Sequence, residues 1–450
     1  MGGFQTGINA PKNLLTAYGG SFEGSYRVPS DAYTSDMTGA PAGGKAGNVS
    51  IWPLGSLAAV LVWRNSQDGR EWQRSVGSSG TFVTDWVETM RKGTKRVCEP
   101  LTLAGGANVN TSTDVGVRLP FNVPAPVRRW RVHVRNQNDR TPLAYTGVLS
   151  FTGISVGHAE TDANGRPTGQ FTGEMMFPVA TAFETGEAGT QWVSQWMTYP
   201  LVPNQEYILS YGYTCAPQDN HASVGGGFLT NGGAAAINTL ATGLTKTEQA
   251  PLDIWITYEV DEHVKQYGYF GDSLTAGVSS DLPVYDSWAK RHARAHGAFA
   301  QIYAYSGTGY VEWNSDTKYG IRKYVDFSQI AKPEVLYNAM GSNDLTPSDL
   351  PQMISRFRAS IAAIRSKVCT NIVNLTVLPR LDGADAFELH RQAWNQYLME
   401  QVPGNTLMTF DAASALEGST PGVLDVRWRA SPTDIHLNYA GYARYAAGVR

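Results

Sequence analysis

The hydrophobic and polar positions along the chain follow two different periods, and the change falls near residue 260. Before it, short runs that alternate between apolar and polar residues are separated by turn residues, a pattern typical of strands. The clearest run sets Trp130, Val132 and Val134 against Arg131, His133 and Arg135. Residues 207–213 and 254–260 are further strand candidates, and 162–167 predicts a turn. Because no helical pattern separates these strands, we expect residues 116–260 to form an antiparallel, jelly-roll-like β-sandwich.

After residue 262 the pattern alternates between strands and helices. The strand-like runs are residues 264–270, 299–305, 335–340, 372–378 and 407–410. Between them, 348–368 keeps its apolar residues on one helical face, and 384–402 is a second helix candidate. Such alternation predicts a parallel sheet covered by helices on both faces, here over residues 261–450.

The first part of the chain, residues 1–115, is rich in Gly, Ser, Thr and Pro. This composition predicts a leader with some structure. Within it, Phe82, Trp86 and Met90 repeat every four residues and Gly93 follows, which indicates a helix over 81–92.

Composition and charge narrow the range of partners. The chain has 450 residues, and its net charge of −3 provides no long-range attraction for nucleic acid or for an anionic membrane. The longest apolar stretch, residues 54–63, is half of the ~20 residues that a membrane span needs. Residues 1–11 show no secretory signal. We therefore expect neither a nucleic-acid partner nor a membrane span.

The three cysteines, Cys98, Cys215 and Cys369, lie far apart, without the close pairs of a zinc site or a disulfide framework. We interpret them as structural thiols. The motifs G-x-G-x-x-G, H-E-x-x-H and G-x-S-x-G are absent, which argues against a dinucleotide enzyme, a zinc protease and a typical α/β-hydrolase. No metal and no cofactor is predicted.

Candidate chemistry begins at Gly271-Asp272-Ser273-Leu274, directly after the first strand of the αβ half. Parallel sheets place their active sites at the carboxyl ends of the strands, so Ser273 is a candidate nucleophile. The alternative is that Ser273 caps a helix.

Three more blocks follow in order, each after a predicted strand or before the last helix. They are Tyr305-Ser306-Gly307-Thr308-Gly309, Gly341-Ser342-Asn343-Asp344 and His436-Leu437-Asn438-Tyr439. Together with the first block they resemble the SGNH hydrolases, also called GDSL esterases, over about residues 264–450. The resemblance implies a flavodoxin-like parallel-sheet SGNH hydrolase domain.

The resemblance also implies a role for each block. Ser273 would be the nucleophile and His436 the base. The backbone N–H groups of Ser273 and Gly307, with the side-chain amide of Asn343, would form the oxyanion hole. Gly309 is the alternative to Gly307.

The chain departs from the family at the third catalytic residue. The family carries an aspartate three residues before the histidine, where this chain has Thr433, and Asp434 lies two residues before His436. Across a two-residue interval, the carboxylate would reach the imidazole only if the chain there were extended. Asp434 is the first candidate to orient His436, and Asp425 or a backbone carbonyl stays open.

These features predict a serine esterase behind a β module. Because aromatic rings pack on sugar faces, the aromatic-rich β module favours an O-acetyl or other acyl ester of a polysaccharide or cell-envelope glycan. A lipid or small-molecule ester is the alternative. The arrangement also resembles actinobacterial proteins and the tail proteins of their phages, so a structural or receptor-binding tail protein with a weak or inactive hydrolase half is the rival. Other tail proteins or further copies of the chain would then be partners, and the location would be the virion or the cell exterior, with a cytoplasmic location left open.

Overall fold

A computed structural model of the chain describes residues 24–28, 47–53, 59–65, 70–76, 87–91, 93–103, 109–110, 113–136, 148–185, 191–216, 220–232, 243–314, 331–345, 349–381, 386–401 and 406–449. The contacts divide the chain into two compact units, Met1–Lys95 and Arg96–Arg450. The boundaries that we expected near residues 115 and 260 stay predictions.

The first unit contains an antiparallel sheet of five strands in chain order. The strands are β1 (Gly24–Val28), β2 (Gly47–Pro53), β3 (Ala59–Asn65), β4 (Arg70–Val76) and β5 (Val87–Arg91). The helix predicted over 81–92 is wrong where the structure describes that segment, because β5 pairs with β4 there, with Val87 opposite Gln73. Pairing within the sheet outweighs a helical pattern that rests on only three residues.

The next part of the chain is antiparallel, as predicted. Its strands are β6 (Thr94–Pro100), β7 (Val109–Asn110), β8 (Asp114–Phe121), β9 (Val127–Arg135), β10 (Ser150–Thr161), β11 (Pro167–Ala180), β12 (Phe183–Glu184), β13 (Gln191–Val193), β14 (Tyr207–Thr214), β15 (Asn220–Asn231), β16 (Thr245–Pro251) and β17 (Asp253–Asp261). One sheet has the order β11-β10-β14-β8-β15-β16, with β12 beside β10 and β7 beside β15; the other has the order β13-β9-β17-β6. Apolar residues of both sheets share one core, among them Val117, Leu209, Val132 and Ile256, which makes this region a sandwich.

Strand β17 is buried on both faces, so its side chains do not show the apolar and polar alternation of a solvent-facing strand. Ile254, Ile256 and Tyr258 belong to the sandwich core, whereas Trp255 packs in the core of the αβ half. The polar residues on that second face are paired: Asp253 accepts from Arg135, and Glu259 accepts from Arg129 at 2.6 Å. The sandwich and the αβ half are therefore packed together through this sheet.

The αβ half is a five-stranded parallel sheet with helices. The strands are β18 (Gln266–Gly271), β19 (Phe299–Ala304), β20 (Val335–Asn338), β21 (Ile372–Leu375) and β22 (Met408–Phe410). The helices are α1 (Ser273–Ala276), α2 (Trp288–Ala295), α3 (Tyr310–Trp313), α4 (Leu350–Lys367), α5 (Ala386–Gln401) and α6 (Tyr439–Gly448). The strand order β19-β18-β20-β21-β22 is the doubly wound, flavodoxin-like order. The predicted fold class is confirmed.

A buried ion pair joins β6 to helix α2. Lys290 lies 2.7 Å from Glu99, and both side chains are less than 5% exposed. The same Glu99 oxygen accepts from the N–H of Ala300 in β19. Nearby, Gln266 donates to the carbonyl oxygen of Cys98 at 2.7 Å. The Gln266 side chain of the parallel sheet is thus hydrogen-bonded to a strand that precedes it by 168 residues.

Helix α2 corrects one expectation. The spacing of His292 and His296, one helical turn apart in the sequence, predicts an exposed helical face rather than a metal pair, but His292 is fully buried and only His296 is exposed. The Tyr269 hydroxyl and Nδ1 of His292 form a hydrogen bond at 2.8 Å. Burial lowers the pKa of His292 to about 3, with His296 acting in the same direction, so His292 is neutral. The helix turns this residue towards the sheet, which the four-residue spacing alone does not reveal.

Among the helices of the described residues, none combines the length and the apolar character that a membrane span requires.

We predict that Glu99→Gln lowers the free energy of unfolding by about 3–5 kcal/mol, because it leaves the buried Lys290 charge without its partner. Chemical denaturation of the full chain measures the change. Arg128→Gln is the matched control: Arg128 and Asp261 form an exposed pair, so this variant should stay within about 1 kcal/mol of the wild type. Equal, small effects of both variants would show that the buried pair contributes little.

The same pair predicts a pH dependence. Burial lowers the pKa of Lys290 from 10.5 to about 8. The unfolded chain therefore holds this proton to a higher pH than the folded protein does, and the contribution of Lys290 to stability should rise between pH 8 and pH 10.5. Denaturation at several pH values should show the rise in the wild type and not in Lys290→Met. A rise of the same size in both would assign it to other groups.

Candidate active site

Three loops meet where the strand order of the parallel sheet reverses. Strand β18 has β19 on one side and β20 on the other, so the connections that leave these strands diverge at their carboxyl ends. Ser273 follows β18, Gly307 follows β19 and Asn343 follows β20. In doubly wound sheets this crevice is where ligands bind. The sheet order therefore brings the first three sequence blocks to one place.

Ser273 begins helix α1 but does not cap it. The N-cap is Asp272, whose carboxylate accepts from the N–H of Leu274 at 3.0 Å. The helix ends after one turn at Gly277, which has a left-handed φ of 82°. The Ser273 hydroxyl is therefore not required for capping.

His436 links the serine to an aspartate. Nε2 of His436 lies 2.9 Å from the Ser273 hydroxyl, and Nδ1 lies 2.8 Å from an Asp434 carboxylate oxygen. Because a carboxylate only accepts, Nδ1 carries the proton and Nε2 accepts from the hydroxyl. The three side chains form one hydrogen-bonded chain.

An Asx turn allows the Asp434 carboxylate to reach the ring of His436, two residues further on. The Asp434 oxygen that contacts the ring also accepts from the backbone N–H of His436 at 2.9 Å. Aspartates form such turns with the residue two positions on. The condition that we set from the sequence, an extended chain, is therefore wrong: a compact turn brings this carboxylate under the imidazole.

The contacts with His436 also set the charge of Asp434. Burial alone would raise the pKa of Asp434, but the hydrogen bonds from His436 outweigh it and hold this pKa below its usual range. Asp434 is thus ionised at neutral pH.

The alternative carboxylate, Asp425, lies in other contacts. It caps the 3-10 helix Val426–Trp428 and pairs with Arg427 at 2.5 Å. Thr433, at the family's usual position, is exposed.

The candidate oxyanion donors lie on the loops after β18, β19 and β20. Within the described part of the chain, the N–H groups of Ser273 and Gly307 have no acceptor. Gly307 has a left-handed φ of 75°, which glycine adopts without strain. Asn343 donates one of its amide hydrogens to the carbonyl oxygen of Thr308 at 2.9 Å, and the second amide hydrogen remains available. The contact with Thr308 ties the Asn343 loop to the Gly307 loop.

Gly309, the alternative to Gly307, is occupied. Its N–H donates to the Glu312 carboxylate at 2.8 Å, so it has no hydrogen left for an oxyanion. A Cβ at Gly309 would collide with the carboxylate of Asp344, which accepts from the N–H of Tyr310. The glycine is needed for this close approach.

Two buried carboxyl groups lie behind the site. Burial raises the pKa of Asp272 to about 7, and the charge of Asp344 acts in the same direction. Burial likewise raises the pKa of Asp344 to about 6. Each carboxyl group accepts a hydrogen bond from the backbone of a loop: Asp272 from the N–H of Leu274, and Asp344 from the N–H of Tyr310. Sequence reasoning did not identify the supporting roles of Asp272 and Thr308, since their contacts are set by the tertiary fold.

No group of three or more histidine, cysteine, aspartate or glutamate side chains suited to a metal ion occurs in the described residues.

The comparison with protein families agrees with this geometry. Residues 269–444 match the model of the GDSL-like Lipase/Acylhydrolase family. This part of the chain is therefore a GDSL-like hydrolase domain, as the four sequence blocks predicted. No curated protein sequence matches the chain significantly.

Among solved structures, the chain is similar to a carbohydrate esterase family 2 enzyme with a carbohydrate-binding domain from Corynascus thermopiles (Myceliophthora fergusii). The identity is 12%, with 78% of this chain and 97% of that chain covered, at a TM-score of 0.35. A family two carbohydrate esterase from Cellvibrio japonicus is 12% identical over 79% of this chain and 96% of its own, at a TM-score of 0.32. The lipase Lip_vut3 from a goat rumen metagenome is 16% identical over 42% of this chain and 96% of its own, at 0.33. Likeness at these levels says nothing about the substrate.

We predict that Asp434→Asn lowers kcat on a small ester by up to ~10⁴-fold. Asparagine can keep the Asx turn, but its amide cannot hold the Nδ1 proton or stabilise an imidazolium. Steady-state kinetics measures the loss, and Asn343→Ala provides the scale, because the loss of one oxyanion donor costs ~10²- to 10³-fold.

The matched control is Asp425→Asn, which retains a capping oxygen and lies outside the hydrogen-bonded chain. We expect its kcat to remain near that of the wild type. A loss at Asp434 smaller than that at Asn343 would reject Asp434 as the group that orients His436.

Proposed function

We propose that the chain is a serine ester hydrolase that works by acyl transfer through Ser273. The observation that carries this proposal is the hydrogen-bonded chain from Ser273 through His436 to Asp434. A hydroxyl, a neutral imidazole and a carboxylate in this order are the parts that nucleophilic acyl transfer needs.

In the first half of the reaction, the Ser273 oxygen attacks the ester carbonyl carbon while Nε2 of His436 takes the hydroxyl proton. Asp434 holds the ring and stabilises the imidazolium that forms. The carbonyl oxygen becomes an anion, which the N–H groups of Ser273 and Gly307 and the Asn343 amide stabilise. The imidazolium then gives its proton to the leaving alcohol oxygen, and the acyl group stays on Ser273.

In the second half, water attacks the acyl carbon and His436 takes a proton from it. The same donors stabilise the second oxyanion. When the acid leaves, His436 returns the proton to the Ser273 oxygen. The overall reaction consumes one ester and one water and releases one alcohol and one acid.

The substrate that we propose is an O-acyl ester, first of all an acetyl ester, on a polysaccharide or cell-envelope glycan. The β module supports this choice with rings that remain partly exposed, namely Trp192, Trp196 and Tyr199. Trp192 stacks on Phe183 at 4.2 Å, which keeps the indole in a fixed orientation. Flat, rigid rings of this kind pack on the apolar faces of sugars. The other aromatic candidates, Trp130 and the tyrosines at 207, 211 and 213, are fully buried in the sandwich core and carry no such function.

The rival hypothesis, a tail protein with an inactive hydrolase half, has less support. An inactive site has no physical reason to keep a histidine 2.9 Å from a serine and 2.8 Å from an aspartate. A glycan outside the cell remains compatible with an extracellular or virion location under either hypothesis.

We predict that Ser273→Ala removes ester hydrolysis and leaves the thermal midpoint of unfolding unchanged, because Asp272 and not Ser273 caps α1. A chromogenic acetyl ester measures the activity. In the wild type, a serine-directed phosphonate should label Ser273 alone, as peptide mass spectrometry can show. Turnover in Ser273→Ala, or labelling of another serine, would overturn the proposal.

We also predict that Trp192→Ala lowers kcat/KM on an acetylated polysaccharide by about tenfold, the loss of one or two kcal/mol of ring contact. Its kcat/KM on a small soluble ester should not change. Val193→Ala is the matched control, since Val193 is the exposed neighbour on β13. Equal kcat/KM of Trp192→Ala and Val193→Ala on the polysaccharide would exclude this ring from glycan binding.

A further inference from the structure

The hairpin between β10 and β11 carries an arginine into the hydrolase half. The Asp162 carboxylate closes its turn by accepting from the N–H groups of Asn164 and Arg166. The Arg166 guanidinium donates to Asp281 and to Asp286, each at 2.8 Å. Its side chain is 17% exposed and that of Asp286 is 2% exposed. Both aspartates belong to residues 277–287, the segment that follows helix α1.

Arg166 also contacts the helix that follows His436. Its guanidinium lies 4.3 Å from the centre of the Tyr439 ring, and Arg291 of α2 lies 3.9 Å from the same ring. Arg291 in turn donates to Asp286. Tyr439 is the first residue of α6, three residues after His436. One arginine of the sandwich therefore contacts chain segments on both sides of the catalytic serine and histidine.

The segment 277–287 needs support from outside. Ser279 and Val284 have left-handed φ angles of 66° and 67°, although neither is glycine. This conformation is strained, above all for the β-branched Val284, and it persists where the surroundings impose it.

Strand β15 of the sandwich provides a second support for the same segment. The N–H of Gly226 donates to the carbonyl oxygen of Pro283 at 2.6 Å. A Cβ at Gly226 would collide with the backbone of Leu282. Phe228 packs on Leu282 and Tyr285 in a small buried cluster. The sandwich thus contacts the segment through a hairpin turn and through a strand.

The supported segment reaches the reacting groups directly. The N–H of Val278 donates to the carbonyl oxygen of Ser273 at 3.0 Å, and the Tyr442 hydroxyl of α6 donates to the carbonyl oxygen of Val278 at 2.7 Å. A shift of this segment would therefore move Ser273 relative to His436.

We propose that Arg166 is a positioning residue of the hydrolase site: it holds residues 277–287 and the start of α6 so that Ser273 stays in line with His436. The proposal rests on the proposed esterase activity and adds a residue of the β-sandwich to its machinery. Small displacements of catalytic groups cost large factors in rate, up to ~10²-fold for about 1 Å. Because Arg166 acts on the reacting groups and not on the substrate, its loss should appear in kcat and not in KM.

The test is a double-mutant cycle in the full chain, with a small chromogenic acetyl ester as substrate. We expect Arg166→Gln to lower kcat about 10- to 100-fold with KM within about twofold. In an Asp286→Asn background, Arg166→Gln should cost less than about threefold, because the buried ion pair through which Arg166 holds the segment is already gone. Arg166→Lys, which keeps the charge but reaches one aspartate, should have an intermediate kcat. Arg128→Gln, which breaks an ion pair away from the segment, should match the wild type.

A kcat of Arg166→Gln equal to that of Arg128→Gln would overturn the proposal, and so would equal losses in the wild-type and Asp286→Asn backgrounds. If Arg166→Gln does not fold, Arg166→Lys decides, and a wild-type kcat in that variant overturns it. A failure of the esterase assignment looks different: the wild type itself would not turn over the ester, or Ser273→Ala would remain active.

Discussion

The reversal of strand order between β18 and its two neighbours is the constraint on which the site depends. Parallel strands deliver the loops at their carboxyl ends to one edge of the sheet, and the reversal opens a crevice there. Ser273, Gly307 and Asn343 meet because they follow three adjacent strands, although up to 70 residues of chain separate them. His436 arrives from the other end of the domain, before helix α6, and closes the arrangement.

The sequence was sufficient for the parts that rest on local pattern. The strands and long helices of the αβ half lie within a few residues of their predicted positions, because each has a clear period and a strand end or cap beside it. The helix predicted over 81–92 was wrong, since three aromatic or apolar residues at helical spacing do not outweigh pairing with β4. His292 was also placed wrongly, because its burial depends on which face of α2 meets the sheet.

Other features of the site lay beyond sequence reasoning because they depend on contacts between distant residues. The choice between Asp434 and Asp425 was open until the Asx turn and the pairing of Asp425 with Arg427 were seen. Gly309 stayed open as the alternative to Gly307 until the acceptor of its N–H was known. Glu99 and Arg166 showed no sign of their contacts with the αβ half, which involve residues more than 100 positions away. The sandwich and the hydrolase half have separate folds, yet buried charges of the first satisfy buried charges of the second.

The central claim, acyl transfer through Ser273, is tested most directly by trapping the acyl-enzyme. The wild-type protein would be mixed with a fast-reacting activated acetyl ester, quenched in acid within the first turnover and examined by intact-protein and peptide mass spectrometry. The account predicts a gain of one acetyl group per chain, located on Ser273, together with a burst of alcohol of the same amount. Acetylation at another residue, or steady alcohol release with no acetylated protein and no burst in repeated quenches, would contradict it.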